Sequence, residues 1–232
     1  MKLLLHALSV AEVPREIPGG LRGQALVRVD SAGLAAWATE LAEPDPRFGR
    51  SDLLEHHAII SCLHAQLAAC LPVRFPTWFV DADALRGEIG RRQDEFRANL
   101  DAVRGRCELA VTVLWTAPAE TAESETPSAA AATPGTRYLR ERQQAVAGSD
   151  RRRARARALA DEVKALAGVD LAGVRAHVCP SALVAVSSAL LIPRESAEAL
   201  IARLPRAKDG VRILVNGPWP PYSFAGTGER EA

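Results

Sequence analysis

The sequence predicts an α+β protein of two small domains, the second ferredoxin-like, joined through long helices. Three observations lead there. The chain has 232 residues, of which 48% are hydrophobic and 25% charged, enough for two modest cores. A stretch rich in Pro, Ser, Thr and Ala lies near its middle. From Glu108 onward the elements run strand, helix, strand, strand, helix, strand, the ferredoxin-like order.

The first domain is expected over residues 1–105. Lys2 to Ser9 and Gln24 to Asp30 form short strands joined by a turn-rich segment with Pro14, Pro18, Gly19 and Gly20. Ser31 or Gly33 then opens a short Ala-rich helix, which Pro44 and Pro46 end. Between Ser51 and Leu71 the residues Leu53, Ile60, Leu63 and Leu67 recur at helical spacing, with Ser51 as N-cap and Pro72 as stop. Val73 to Val80 is β-rich and aromatic, and Pro76 demotes it to an edge strand or ordered loop. Asp81 caps a helix whose stripe is Leu85, Ile89, Phe96, Leu100 and Val103.

The second domain is expected over residues 106–225. Leu109, Val111, Val113 and Trp115 alternate with Glu108, Ala110, Thr112 and Leu114, the period of a strand with one buried face. Residues 117–134 repeat Ala, Glu, Ser, Thr and Pro without an aromatic, the composition of a mobile loop. A helix over Tyr138 to Ala167 can break at Gly148. Strands at Val174 to Val178 and Leu183 to Ile192, a helix over Ser196 to Leu204 and a strand at Val211 to Val215 follow, and residues 226–232 form a disordered tail.

The 29 basic and 28 acidic residues give a net charge of +1, so no overall field draws the chain to nucleic acid or an anionic membrane. The longest mostly apolar run, Ala182 to Ile192, is shorter than the roughly 20 residues of a membrane span. His6, Glu12 and Arg15 make the N-terminus a poor signal peptide. Cys62, Cys70, Cys107 and Cys179 form no C-x-x-C pair, and a reducing cytoplasm is the expected location.

No active site is expected. His56, His57, Cys62, His64 and Cys70 suggest a metal, as in a small metal-dependent hydrolase, but His57 and His64 stand two helical turns apart, about 10 Å. His56 and His57 diverge by about 100° on a helix. The run Arg151, Arg152, Arg153, Arg155 and Arg157 suggests a nucleic-acid-binding regulator, yet a helix spreads these arginines around its circumference with no aromatic interleaved. The chain lacks G-x-S-x-G, G-x-x-x-x-G-K-[ST] and G-x-G-x-x-G, so neither a nucleophile elbow nor a nucleotide loop is present, and no cofactor is implied. Asp81 and Asp83 read as helix-start residues.

The segment Gly217-Pro218-Trp219-Pro220-Pro221-Tyr222-Ser223-Phe224 concentrates three prolines and three aromatics in a chain only 5% aromatic. Proline fixes φ, so this clamp loses little entropy when its rings dock. The rings are expected to dock on the protein itself before any partner. For a fully buried Trp219, substitution by Ala then costs about 3 to 5 kcal/mol.

This octapeptide resembles the signature that closes the gas vesicle F/L proteins. Leu71-Pro72-Val73-Arg74-Phe75 is similar to that family's L-P-[VM]-R-F-G-T segment, and Gly135-Thr136-Arg137-Tyr138-Leu139 to its G-x-x-Y-L helix start. Pro76 stands where the family usually has Gly, and the leucines at the N-terminus replace its usual tyrosines. The resemblance implies a non-enzymatic assembly accessory protein, cytoplasmic and on the gas vesicle. Its implied partners are the hydrophobic shell protein, whose aggregation it limits, and other accessory proteins, with no nucleic acid or membrane. It can remain as a minor vesicle component. Arg74, Phe75, Tyr138, Trp219, Pro220, Tyr222 and Phe224 are the residues expected to hold the architecture or touch partners.

Overall fold

A computed structural model describes residues 2–42, 47–116 and 134–226. They divide into two compact units, Met1–Glu108 with Pro218–Ala232, and Leu109–Gly217. The division falls within two strands, not in the Ala-rich stretch. Chain order alone assigns residues 106–225 to one domain, whereas the segment from Pro218 belongs to the first unit. Residues 117–133 and 227–232, which cover almost all of the expected loop and tail, lie outside the described residues.

The first unit is built on an antiparallel sheet of β1 (Lys2–Val10), β2 (Leu26–Ser31), β3 (Leu34–Leu41), β4 (Cys70–Pro72) and β5 (Trp78–Phe79). The strand order is β2-β3-β1-β4, and β5 also pairs with β1. The strand β3 corrects the expected Ala-rich helix. Its small residues suit a central strand buried on both faces, and all but Glu40 are buried. The turn before it is Ala32-Gly33, with φ of 52° and 74°. Two positive φ values make a tight hairpin, with Ser31 paired to Leu34, and Gly33 supplies one without strain.

Helix α1 (Arg50–Gln66) begins one residue before the expected cap. Gly49 is the N-cap and donates its N–H to Asp52 Oδ2 at 2.7 Å. Asp52 also holds Arg22 at 2.8 Å, and that guanidinium, then the Gly49 amide, keeps its carboxyl below the ordinary range. The helix stops five residues before the expected end at Leu71, because Cys70–Pro72 is taken up by β4. Its Ile59, Ile60, Leu63 and Leu67 pack on Ala7, Ala35, Trp37 and Cys70. Leu4, Leu21 and Leu41 form a second cluster with Phe48, Phe75 and Trp78 against it.

The edge strand is interrupted between β4 and β5 by residues 73–77, where the Phe75–Pro76 peptide is cis. Asp81 Oδ1 accepts from the Ala84 amide at 2.8 Å and caps α2 (Ala82–Arg91). The expected single helix is two, since Arg92 leaves helical geometry before α3 (Gln93–Val103). Leu85, Ile89, Leu100 and Val103 are buried, and half-buried Phe96 lies under the Arg92 guanidinium at 4.7 Å.

The second sheet has the order β7-β8-β6-β10-β9. Its strands are β6 (Arg106–Trp115), β7 (Gly173–Val178), β8 (Val184–Pro193), β9 (Ala207–Lys208) and β10 (Val211–Trp219). Helix α4 (Pro134–Ala167) follows β6 and α5 (Ala197–Arg203) follows β8, so order and topology are ferredoxin-like, with β9 added at the edge. Helix α4 is continuous through Gly148 and buries Ala156, Leu159, Val163 and Ala167. No helix among the described residues is long and apolar enough to cross a membrane.

At the centre of the first unit stands His6, fully buried in a mostly apolar strand. Pairing with β3 slips between Leu5 and Ala7, so His6 is the extra residue of a β-bulge. A bulge re-aims the side chain it carries, and here it sends the imidazole to His56 on α1, Nδ1 to Nδ1 at 2.7 Å. The hydrogen bonds fix both tautomers. His56 Nε2–H donates to the Val73 carbonyl at 3.0 Å, which leaves its Nδ1 to accept from His6. His6 Nε2 then accepts from Thr39 Oγ1 at 2.8 Å, and Thr39 Oγ1 accepts from the Leu21 amide at 2.9 Å. Gly20 makes room for this chain, because a Cβ there would lie 2.6 Å from Thr39 Oγ1.

Both rings are therefore neutral in the fold. Burial, then the His56 charge, lowers the His6 pKa from 6.5 to about 3, and burial lowers that of His56. Below pH 6.5 the unfolded chain takes up a proton at His6 that the folded chain refuses. The His6 contribution to stability is thus full above about pH 7 and falls as the pH drops from 6.5 toward 3, by up to about 1.4 kcal/mol per pH unit. Urea unfolding followed by tryptophan fluorescence should show a loss of about 2 kcal/mol between pH 7.5 and 5. A His6→Leu variant, though less stable throughout, should lose most of that slope.

Candidate functional site

Helix α1 carries a second histidine, His57, one residue beyond the buried pair and turned toward the C-terminal segment. Its Nδ1 is hydrogen-bonded to the Tyr222 hydroxyl at 2.9 Å and its Nε2 to Ser61 Oγ at 3.4 Å. The ring meets Trp219 edge-on at 5.3 Å between centroids and lies 5.8 Å from the Tyr222 ring. Burial of the Tyr222 hydroxyl, ahead of nearby Cys70 and Glu108, pushes its pKa above the ordinary phenol value, so the group stays neutral.

The prolines set the path of this segment. Pro220 and Pro221 are buried, and a short 3₁₀ turn at Tyr222–Phe224 follows, with Tyr222 N–H donating to the Pro220 carbonyl and Phe224 N–H to that of Pro221. Glu108, only 7% exposed, accepts at that turn from the Ser223 amide at 2.7 Å and the Ser223 hydroxyl at 2.8 Å. A buried carboxylate is costly unless its lone pairs are occupied, and these two bonds occupy one on each oxygen.

Between α1 and this docked segment runs an open groove of about 870 Å³. Leu53 and Leu54 on α1 line one side, Trp219 and Tyr222 the other, and Pro72 at the end of β4 and Val73, Arg74 and Phe75 in the loop after it contribute as well. His56 reaches it from below, its ring 4.9 Å from that of Phe75, which packs edge-on against Phe48 at 4.8 Å. Leu54 is 58% exposed, Trp219 39% and Tyr222 38%, so apolar and aromatic surface faces solvent along both walls.

Four of the seven residues singled out in the sequence, Arg74, Phe75, Trp219 and Tyr222, thus meet in one groove, with Pro220 buried beside it. Phe224 is half-buried in the same segment, and Tyr138 lies on α4, its side chain outside the described part. Sequence reasoning missed His57, Glu108, Leu53 and Leu54 as parts of the site. Leu54, on the helix face opposite Leu63, was a legible signal, whereas Leu53 reads as part of the Ile60, Leu63 and Leu67 stripe and is half exposed in the fold.

The remaining candidates go elsewhere. His64 Nε2 bonds the Arg106 carbonyl at 2.9 Å, and Cys62 accepts from Gln66 at 3.3 Å. Among the described residues no three potential ligands gather around one point. Of the arginine run, Arg152 and Arg155 lie over Trp115 at 5.0 and 5.5 Å and donate to the carbonyls of Ala182 and Asp209. They tie α4 to the sheet instead of presenting a stripe.

A family model described as gas vesicle synthesis protein GvpL/GvpF matches residues 6–226. The chain belongs to this GvpL/GvpF family. It is 32% identical over 195 residues to gas vesicle protein L2 of Halobacterium salinarum, covering 75% of this chain and 70% of the relative. It is 31% identical over 186 residues to gas vesicle protein L of a Streptomyces species, with 76% and 69% covered. The fold is shared with crystal structures of the gas vesicle protein GvpF. That from an Anabaena species has a TM-score of 0.79 at 18% identity and covers 100% of this chain and 98% of its own. That from Microcystis aeruginosa has a TM-score of 0.75 at 16% identity, covering 97% and 98%. In this family member the proline-aromatic segment is one wall of the groove.

Trp219 is part-exposed, which corrects the estimate for a fully buried ring. Trp219→Ala should cost about 1 to 2 kcal/mol in urea unfolding. Glu108→Ala strips the Ser223 amide of its acceptor and should cost about 1 to 3 kcal/mol. Equal stability of Glu108→Ala and wild type would mean that the turn does not depend on this carboxylate.

Proposed function

We propose that this GvpL/GvpF family member is a non-enzymatic accessory factor of gas vesicle assembly. It binds the hydrophobic shell protein in the cytoplasm, limits its aggregation before assembly, and stays with the vesicle as a minor component beside other accessory proteins. The observation that carries this reading is the groove between α1 and the docked segment. Aliphatic side chains on one wall and aromatic rings on the other offer an apolar partner a surface that removes its exposed groups from water. Such burial yields about 25 cal/mol per Å² and needs no catalytic group. The residues of the family-like segments act here as architecture and contact at once: Pro220 and Pro221 fix the wall, Trp219 and Tyr222 present it, and Arg74 and Phe75 border it.

Co-expression with the cognate shell protein tests the reading. Wild type should be recovered in complex and should raise the soluble fraction of shell protein several-fold, while Leu53→Ser/Leu54→Ser should lose most of both effects without losing its fold. Shell protein left equally insoluble with and without the wild-type chain, accessory partners present, would refute it.

A further inference from the structure

We infer that the groove takes an α-helix, not an extended strand, from its partner, and that this helix is amphipathic with a carboxylate beside its apolar stripe. The inference rests on the groove being a docking surface and adds what docks there.

Much of the backbone around the groove is already paired. A strand docks by hydrogen-bonding to unpaired N–H and C=O groups of an edge. Val73 N–H is given to the His6 carbonyl at 2.9 Å, and the Val73 carbonyl accepts from His56. The Arg74 carbonyl accepts from Thr77 Oγ1 at 2.6 Å. On the opposite wall the amides of Tyr222, Ser223 and Phe224 go to Pro220, Glu108 and Pro221. Pro72, Pro220 and Pro221 have no N–H to offer. An extended segment laid in the groove would find few free backbone groups to pair with, so it would gain little of the hydrogen bonding by which strands dock. A helix satisfies its backbone internally and presents side chains alone.

The side chains it would meet are defined. Leu53, Leu54, Val73, Phe75 and the two tail rings make an apolar trough suited to residues at i, i+3, i+4 and i+7. Among the lining side chains are one carboxylic acid and one guanidinium, Glu108 and Arg74. Glu108 is turned to Ser223, whereas Arg74 is exposed, so the rim asks for an anion. A carboxylate flanking the apolar stripe meets that requirement, and a lysine there is repelled.

The test uses the full chain and designed, dye-labelled peptides of about 18 residues, five turns of helix. One has leucines at helical spacing flanked by glutamates, a second has lysines in their place, and a third has the first one's composition with leucines at every second position. Fluorescence anisotropy should show the glutamate helix binding tightest, with a gain of helical circular dichroism in the complex. Leu54→Glu should weaken it about tenfold. Arg74→Glu should weaken the glutamate peptide and strengthen the lysine peptide, a reversal that general loss of structure cannot produce. Tightest binding by the alternating peptide, affinity unmoved by Leu54→Glu, or no binding of the glutamate helix overturns the inference. Shell-protein capture by the same variants separates the two levels. Capture abolished by Leu54→Glu while the helical peptide fails to bind would leave the groove as a docking surface and remove the helix as its occupant. Capture indifferent to Leu54→Glu would remove the groove itself.

Discussion

The first unit depends on satisfying one buried imidazole. His6 sits in the central strand of a sheet covered on both faces, where an unpaired polar ring would cost several kcal/mol. The bulge in β1 turns the ring toward α1, and the loop at residues 73–77 bends out of the edge strand opposite it, where its Val73 carbonyl meets His56. Helix, central strand, neighbouring strand and edge loop are thereby fixed relative to one another through hydrogen bonds that leave no tautomer free. Fully satisfied polar networks of this kind favour one arrangement of a core over others that bury the same apolar area. The direct cost is sensitivity to protons.

The same geometry places the groove. Because His56 is held inward, the next residue on the helix, His57, points about 100° away and meets the tail. Core network and groove wall are thus consecutive residues of α1, and Phe75 touches both, its ring tilted against His56 while it borders the groove. The groove rests on a hydrogen-bonded chain reaching from Leu21 to Val73.

Much of this was legible in the residues and some was not, for identifiable reasons. Strongly periodic segments such as Leu109 to Trp115 and the Leu85 to Val103 stripe appear where expected, as does the Asp81 cap. Leu34 to Leu41 reads as helix because alanine favours helix when nothing else decides; two neighbouring strands decide otherwise. The strands β4 and β9, three and two residues long, are below what periodicity can register. Trp219 and Tyr222 stand out by composition alone, but their partners His57 and Glu108 come from distant parts of the chain. Glu108 in particular looks like the polar side of an alternating strand until Ser223 occupies it. A lone histidine among the apolar residues Leu4, Leu5, Ala7 and Leu8 was a sign that a partner had to exist; which partner is a tertiary fact.

The segment that walls the groove returns to the first unit after the whole ferredoxin-like unit has been threaded. On a ribosome, residues 53–57 emerge long before residues 219–226 do. A nascent chain therefore carries the leucines and the arginine with no aromatic wall facing them, and Glu108 without its Ser223 donors. The groove is therefore completed only after the intervening unit has been made, and its two walls are separated in time as well as in sequence.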